Sequence, residues 1–372
     1  MDDIRATYLR FPGWTQHFWT WQTGRALPGQ RPLIRHGWAS YLALTLAIFL
    51  TGLAVSTVAV SMMFPLWYLA LLVGWVLTVH GERLMVLVIA HQALHRRFSG
   101  SKRQDAFWGE VVTVLSVFHT FGDFKEEHFD NHHRREVFAT AADPPVQFLQ
   151  ALGFRPGLSR AALWRRAWLV FLSPMFYWHG FTGRVGSNLH GKPWRMVGFV
   201  GWIGWWLSLP FWLPHGWLVL LLAFVVPVIL FAQLSALLDR LGEHTWLAPR
   251  DPQLGHRFYT ASNTAARFCG SAVPARGGGP LAWLRWTAVN FGYHLPARLL
   301  VVVGDLPNHD YHHRYPSTPE WTTAAYARQH DIDTGPEGPP YREVWGMGAA
   351  IDLMFRSLAG REEDFGNAPS HR

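Results

Sequence analysis

Long apolar stretches without charge alternate with polar segments along much of this chain. Residues 41–63 contain 23 consecutive uncharged residues, and residues 66–90 are again mainly apolar. About 20 apolar residues cross the hydrocarbon core of a bilayer as an α-helix, so both stretches predict membrane spans. Phe64 and Pro65 lie between them and predict the turn of a membrane hairpin. Three polar residues interrupt the second stretch: His80, Glu82 and Arg83. Either the span ends there or these side chains face the protein interior, because charge facing lipid is costly.

A second pair of apolar stretches predicts a second hairpin. Residues 196–213 and 217–238 carry no charge, and Pro214-His215-Gly216 joins them. Other apolar segments contain charges or prolines and are predicted to lie in the membrane interface or to dip into it. These segments are residues 107–122, 161–181 and 281–303, and a membrane span is the alternative for 161–181. The pattern predicts an all-α integral membrane protein with about four transmembrane helices in two hairpins, plus interfacial helices.

The distribution of arginine predicts the orientation. Both hairpin tips lack arginine and lysine, whereas the other segments are rich in arginine. The positive-inside bias therefore places both termini in the cytoplasm. The first 40 residues show no secretory signal pattern. We expect a cytoplasmic segment at 1–40, a membrane domain at 41–316 and a cytoplasmic tail at 317–372, located in a bacterial inner membrane.

Composition excludes several classes of protein. Cys269 is the only cysteine, which excludes an internal disulfide framework, a zinc ribbon, an in-chain rubredoxin and a cysteine-ligated iron–sulfur cluster. The net charge is +8, which raises the alternative of nucleic-acid binding. No basic stripe with interleaved aromatic residues supports that alternative, and the apolar spans favour anionic lipid head groups as the partner.

Clustered histidines are the candidate metal ligands of this chain. Residues 126–135 read EEHFDNHHRR, and in a helix His128 and His132 share a face, with His133 beside them. A solvated histidine-rich turn is the alternative for any one such cluster. An HxxxH pair, an HxxHH box and a histidine in a Glu-His pair accompany it: His91 and His95; His309, His312 and His313; and His244. Nine imidazoles are enough for two metal ions.

The order of these motifs resembles the membrane fatty acid desaturase/alkane hydroxylase superfamily over residues 41–316. The layout is most similar to the alkane-hydroxylase branch. There the second box is an EHxxxHH type followed by VAT-like and DP segments, and here EHFDNHH precedes FAT and ADPP. The Glu243–His244 pair also matches that branch. The first box departs from it, because Gln92 stands where the hydroxylases have glutamate in HExxH.

The resemblance implies a non-haem di-iron oxidoreductase that uses O2 as co-substrate, with its histidine boxes in a cytoplasmic cap. The substrate class is a long-chain fatty acid or alkyl chain, and the reaction is desaturation, hydroxylation or oxidative decarboxylation to a terminal alkene. The implied iron ligands are His91, His95, His128, His132, His133, His244, His309, His312 and His313. Acids beside these ligands are candidates to accept hydrogen bonds from the rings: Glu127, Asp130, Glu243, Asp305 and Asp310.

Two other functions stay open on this sequence. One is a carotenoid or aromatic-ring oxygenase on the same scaffold, and the other, from a different class, is a metal or haem transporter. Transporters place polar ligands at mid-membrane, whereas these boxes follow or flank the spans. Three histidines near the apolar helices are reserve ligands: His80, His119 and His294.

Electron supply is expected from a separate protein. The chain has no HPGG haem motif, no cysteine pair and no GxGxxG fingerprint. A ferredoxin or rubredoxin with its reductase is the expected donor. Arg134, Arg135, Arg314 and the amino-terminal arginines are the predicted docking surface for such an acidic carrier.

Overall fold

The computed structural model describes residues 3–247 and 253–360, and it is mostly helical, as predicted. Residues 361–372, the end of the predicted tail, lie outside the described residues. The α-helices are, in order, α1 Ile4–Thr7, α2 Gln16–Thr23, α3 Trp38–Met62, α4 Trp67–Leu84, α5 His91–Leu94, α6 Lys102–Leu115, α7 Phe121–Phe124, α8 Pro144–Ala151, α9 Arg160–Phe171, α10 Pro174–Leu189, α11 Pro193–Ser208, α12 Gly216–Val219, α13 Ala232–Gly242, α14 His256–Ser262, α15 Gly279–Val289, α16 Leu295–Leu300, α17 His309–Arg314, α18 Ala324–Thr334 and α19 Met347–Leu358.

Shorter elements connect these helices. The π-helical segments are Met85–Ala90, Lys125–His132, Leu220–Phe231 and Asn290–His294. The 3-10 turns are Tyr8–Arg10, Gly13–Thr15, Leu209–Phe211, Leu306–Asn308 and Glu320–Thr323. Two short strands, β1 Ala266–Phe268 and β2 Glu343–Trp345, pair in parallel. The pairing joins the polar segment that follows α13 to the carboxy-terminal part of the chain. The sequence pattern did not predict it.

Within the described part of the chain, three helices are long and apolar enough to cross a membrane: Trp38–Met62, Trp67–Leu94 and Gly216–Gly242. They correspond to the predicted spans at 41–63, 66–90 and 217–238. The fourth predicted span, at 196–213, forms the 16-residue helix α11 and the turn Leu209–Phe211. Because α11 alone is shorter than the roughly 20 residues of a full crossing, the count of four spans stays a prediction.

The first two membrane helices approach each other closely at glycine. A Cβ added to Gly52 would overlap the backbone of Thr78, and one added to Gly74 would overlap Ser56. Small residues allow helix backbones to pack at short distance within a membrane, where van der Waals contact replaces the hydrophobic effect. These glycines therefore fix the first hairpin, which holds the second helix and the histidines at its end.

Charged residues in the second and third membrane helices face the protein interior. Glu82 and Arg83 are both buried, and Arg83 Nη2 lies 2.9 Å from Asp239 Oδ2 on α13. Asp239 also accepts a hydrogen bond from Arg267 at 2.6 Å. Of the two alternatives for the interrupted stretch, the interior position is confirmed for Glu82 and Arg83, because both are buried. Pairing with Asp239 offsets the cost of burying Arg83.

The segment predicted as one interfacial helix, at 161–181, consists of two helices. α9 ends at Phe171 and α10 begins at Pro174. Proline lacks the N–H that would continue the first helix. The exposed side chains of this pair are largely apolar and include Trp168, Leu169 and Leu172, with Arg165 also exposed, as expected for helices that lie in a membrane interface.

Candidate metal centre

All nine predicted histidines converge at the ends of the second and third membrane helices. Their ring nitrogens form three groups in which the ligand atoms lie within 4.8 Å of one another. The groups are His91, His95, His128, His133 and His312; His132, His133 and His313; and His244, His309 and His313. Because His133 and His313 each belong to two groups, the nine rings form one continuous cluster.

The first part of the cluster is built by the two amino-terminal boxes. The π-helix Met85–Ala90 leads directly into α5, which places His91 and His95 at the end of the second membrane helix. The second box is also a π-helix, Lys125–His132, rather than the α-helix that the spacing suggested. Its wider i→i+5 turn brings His128 and His133 together, with their Nε2 atoms 3.1 Å apart.

The second part of the cluster is built by the third box and the single histidine. His309 and His313 lie one turn apart on α17, with their Nε2 atoms 3.1 Å apart. An antiparallel bridge between His244 and Thr264 holds the chain that carries the His244 ring. Its ring centroid lies 4.7 Å from that of His313 and 5.1 Å from that of His132. The second and third boxes thus each contribute to both parts, since His132 groups with His313 and His312 lies in the first group.

The donor atoms fit a metal ion. Several buried ring nitrogens have no hydrogen-bond partner among the described residues: Nε2 of His91, His95, His132, His244 and His312. Buried polar atoms are normally satisfied, and a metal would satisfy these. Two nitrogens bound at right angles to one metal at about 2.1 Å lie about 3.0 Å apart, which matches both 3.1 Å pairs.

The rings are held in the neutral state that donates a lone pair. Burial lowers the pKa of His95 to about 4. Burial and neighbouring imidazoles lower the pKa of four further rings well below the ordinary value: His128, His133, His312 and His313. Burial likewise lowers the pKa of His244. Neutral imidazole is the form that binds Fe, Zn, Cu or Ni.

Two groups that orient the rings were not predicted. Asp143 is fully buried, and each of its carboxylate oxygens lies 3.0 Å from His132 Nδ1. Asp143 also accepts the Ala139 N–H at 2.7 Å. The hydroxyl of Thr264 lies 2.9 Å from His244 Nδ1. These contacts turn Nε2 of each ring toward the cluster. The ADPP segment that carries Asp143 belongs to a sequence motif, but the sequence does not indicate which histidine its carboxylate contacts.

Two of the five predicted acids lie within or close to the cluster. Glu243 Oε1 lies 3.3 Å from His309 Nε2 and 3.8 Å from His244 Nε2. Although burial opposes ionisation, Arg240 and His309 hold the pKa of Glu243 well below its ordinary range. Asp305 accepts a hydrogen bond from Gln92 Nε2 at 3.0 Å, and burial raises its pKa to about 6. Gln92, which stands in the first box where HExxH has glutamate, thus connects that box to the loop before the third box.

The other three acids contact cations. Glu127 lies 3.6 Å from Arg240, exposed Asp130 pairs with Lys125 at 2.5 Å, and buried Asp310 pairs with Arg328 at 2.9 Å. Among the described residues, none of these three hydrogen-bonds a ring of the cluster. Adjacency in sequence does not guarantee contact, because neighbours on a helix point in different directions.

The other histidines near the apolar helices lie outside the three groups. His80 contacts the Leu299 carbonyl, while His119 lines the cavity described below. His294 packs beside Gly346. His256, which the sequence placed outside every box, lies 3.0 Å from the backbone carbonyl of His133, so it supports the cluster through the main chain.

A cavity of about 770 Å³ leads to the cluster. Its inner end includes His91, His128 and His309. Most of its walls come from α8, α9, α10 and α13, and many of the lining side chains are apolar, such as Phe118 and Phe176. Ligand cavities commonly have volumes of about 300–1,000 Å³ and mainly apolar walls with a few polar groups. The cavity can therefore hold an extended apolar chain against the histidines.

Comparison with known families gives one match. The model of a family described as fatty acid desaturase matches residues 66–296. The matched region contains the first two histidine boxes and the Glu243–His244 pair and ends before the third box. A search of curated proteins gives no match.

Proposed function

The chain belongs to the fatty acid desaturase family, and on this premise we propose that it is an O2-dependent non-haem di-iron oxidoreductase of long fatty acyl or alkyl chains. The family implies an oxidoreductase that acts on lipid. The observation that carries the finer proposal is the position of nine mutually close histidines at the inner end of a largely apolar cavity. An alkyl chain in the cavity would have its C–H bonds beside the metal ligands.

Two irons would divide the nine rings. One would be held by the ring nitrogens of His91, His95, His128 and His312, and the other by those of His132, His244, His309 and His313. His133 belongs to groups on both sides. When bound, the irons would supply the activation of O2 needed to oxidise a C–H bond. The chain's own residues orient the rings through Asp143 and Thr264 and keep them buried.

Desaturation, hydroxylation and oxidative decarboxylation have the same electron requirement. Each reduces one O2 and takes two electrons and two protons from outside the substrate. His95 and His133 are the two rings of the cluster that are not fully buried. Exposed Phe129 lies beside them, with its centroid 5.5 Å from that of His95. Electrons from a carrier would therefore enter on this side.

The charges around this entry favour an acidic carrier such as a ferredoxin or rubredoxin. Four arginines follow the two partly exposed rings in sequence and are themselves exposed: Arg96, Arg97, Arg134 and Arg135. Exposed acids on the same side offset part of this charge: Glu126, Asp130 and Glu136. The prediction that Arg314 belongs to the docking surface is wrong. Arg314 is buried and donates to the carbonyls of Glu337 and Pro339.

We also propose that α11 completes a fourth crossing. The second and third membrane helices both deliver histidines from their carboxyl ends, so the chain between them must return to the other side of the bilayer. The 16 residues of α11 rise about 24 Å, and the three residues of Leu209–Phe211 add about 6 Å. The sum equals the hydrocarbon thickness of about 30 Å. Trp206 of α11 stacks on Phe224 of the third membrane helix, with centroids 4.6 Å apart.

Cysteine labelling tests this topology, since the native Cys269 is buried. Leu66→Cys and Trp217→Cys, at exposed positions of the two hairpin tips, should react with an impermeant thiol reagent added outside the cell. Arg134→Cys should react only after permeabilisation, if the cluster faces the cytoplasm. Labelling of either tip only after permeabilisation would contradict the four-span arrangement.

The reaction itself is tested by product analysis. Purified protein with a ferredoxin, its reductase and NADPH is given a panel of alkanes, fatty acids, carotenoids and aromatic hydrocarbons, and the products are identified by mass spectrometry. We expect two irons per chain and O2 consumption that depends on a fatty acid or alkane. Oxidation of only carotenoids or aromatic hydrocarbons would favour the alternative of a carotenoid or aromatic-ring oxygenase. Transport of metal ions across a vesicle membrane without O2 consumption would favour a transporter.

A further inference from the structure

The charged side chains that line the cavity are mostly paired with one another. Arg83 pairs with Asp239, and Arg240 pairs with Glu127 and Glu243. Arg184 is buried, donates to Gln233 Oε1 at 2.6 Å and also interacts with the charge of Glu82. Each of these cations has a side-chain partner within the protein, although Nη1 of Arg184 and Nε of Arg83 have no hydrogen-bond partner among the described residues.

Among the described residues, Arg166 differs from the other three arginines that line the cavity, because no side chain pairs with it or accepts a hydrogen bond from it. It lies on α9, is partly exposed and lines the cavity. Its Nε donates to the Leu152 carbonyl at 2.5 Å, which fixes the guanidinium plane. Among the described residues it forms no ion pair, and neither of its terminal nitrogens has a hydrogen-bond partner. Two adjacent N–H donors on a fixed plane match the two oxygens of a carboxylate.

The backbone leaves room for this guanidinium. Gly153 has a φ of +87°, in the left-handed region, and a Cβ added there would overlap Nη2, Nε and Cζ of the Arg166 guanidinium. Glycine is favoured at such a φ. Its absent side chain also provides the space that the guanidinium occupies at the edge of the cavity.

The cavity opens beside Arg166 onto the apolar face of the interfacial helices. Leu169 and Met175 line the cavity and are 56% and 55% exposed, so they lie at its mouth. Trp168 and Leu172, next to them, are exposed apolar side chains. A helix pair with this surface lies at the boundary between head groups and acyl chains. The carboxylate of a fatty acid in a bilayer lies at the same depth.

We propose that Arg166 binds the carboxylate of a free long-chain fatty acid, whose alkyl chain extends through the cavity toward His91, His128 and His309. This inference rests on the proposed function and narrows its substrate class to the unesterified acid, as opposed to an alkane. The acid enters from the bilayer at the mouth, and the salt bridge sets how far the chain reaches toward the histidines.

Equilibrium binding tests the inference without turnover. Radiolabelled hexadecanoic acid and hexadecanol are bound to the full-length protein in detergent under argon, so that no oxidation occurs. The parent should prefer the acid. Arg166→Gln should weaken binding of the acid about tenfold, the order expected for a partly solvated charge-assisted pair, and leave the alcohol within about twofold of the parent. Arg165→Gln removes a neighbouring exposed charge from the same helix and should change neither.

A second pair of variants tests independently the space that Gly153 leaves for the Arg166 guanidinium. Gly153→Ala should also weaken binding of the acid more than that of the alcohol, because the added Cβ displaces the guanidinium. Gly157→Ala is the matched control: Gly157 has a similar φ of +81 and nothing within 4 Å of an added Cβ. It carries the same backbone strain and should bind both ligands as the parent does.

The outcomes separate this inference from the proposed function. Equal binding of the acid by the parent and Arg166→Gln would overturn the inference, and so would an equal loss of acid and alcohol, which indicates a damaged cavity. If the parent and Arg166→Gln oxidise the acid equally well, the proposed function is supported and the role of Arg166 is refuted. Acid that binds through Arg166 but is not oxidised would leave the inference standing and remove the proposed reaction.

Discussion

Asp143 offers a sharp test of how the cluster is organised. The change Asp143→Asn keeps the shape of the side chain and removes one charged acceptor. In the structure both carboxylate oxygens lie 3.0 Å from His132 Nδ1, and one also accepts the Ala139 N–H at 2.7 Å. If the amide oxygen of the variant faces Ala139, its NH2 group faces the N–H of His132, and two donors then meet in a buried site.

The contacts set the expected size of the effect. A buried donor left without an acceptor costs about 1–3 kcal/mol. Since 1.4 kcal/mol is a factor of ten, the cost corresponds to roughly 5–150-fold. Losses of about 10–100-fold in metal affinity or activity are typical when a partner of a ligating histidine is removed. The hydrogen bond strengthens when the ring donates to a metal, so we expect about a tenfold loss of affinity for one iron, with the remainder of the cost falling on folding.

Chelator competition with iron counting measures this change. Iron per chain is determined by mass spectrometry at increasing chelator concentration, and thermal unfolding in detergent reports the stability. Asp130→Asn is the matched control, because Asp130 belongs to the same box but is exposed and pairs with Lys125. The control should retain the parent's iron. If Asp143→Asn loses iron at a chelator concentration within twofold of the parent, the carboxylate does not support the ligand and the reasoning fails.

Three further predictions concern other parts of the molecule. His244→Ala should retain less than two irons per chain, whereas His294→Ala, an equally buried histidine outside the three groups, should retain both; full iron and activity in His244→Ala would exclude it as a ligand. Arg134→Glu should slow reduction by an acidic carrier at low salt and have little effect at high salt, because screening weakens steering; a salt-independent rate would argue against this docking surface. Gly52→Val should lower stability by about 1–3 kcal/mol through overpacking, while Gly201→Val, which meets open space, should leave the thermal midpoint of the protein in detergent near that of the parent.

Local patterns allowed much of the architecture to be predicted. A run of uncharged residues long enough to cross a bilayer has few other stable environments, so three of the four predicted spans correspond to long apolar helices. The histidine boxes were recognisable because several clusters of closely spaced imidazoles recur along one chain, which is a pattern typical of metal ligands. Their repetition near the ends of the apolar segments predicted that they meet, and all nine rings lie in one cluster.

By itself, the sequence determined which residue types were available and how they were spaced; only the tertiary structure decided which of them face each other. Spacing suggested that His128 pairs with His132, but the π-helix pairs it with His133. Asp143 reaches His132 because the chain turns back after the second box, which no periodicity encodes. The same applies to Arg314, which is buried by the carboxy-terminal part of the chain. The physical reason is that hydrophobic length and helical period act over a few turns, whereas the partner of a side chain depends on packing between segments far apart in the chain.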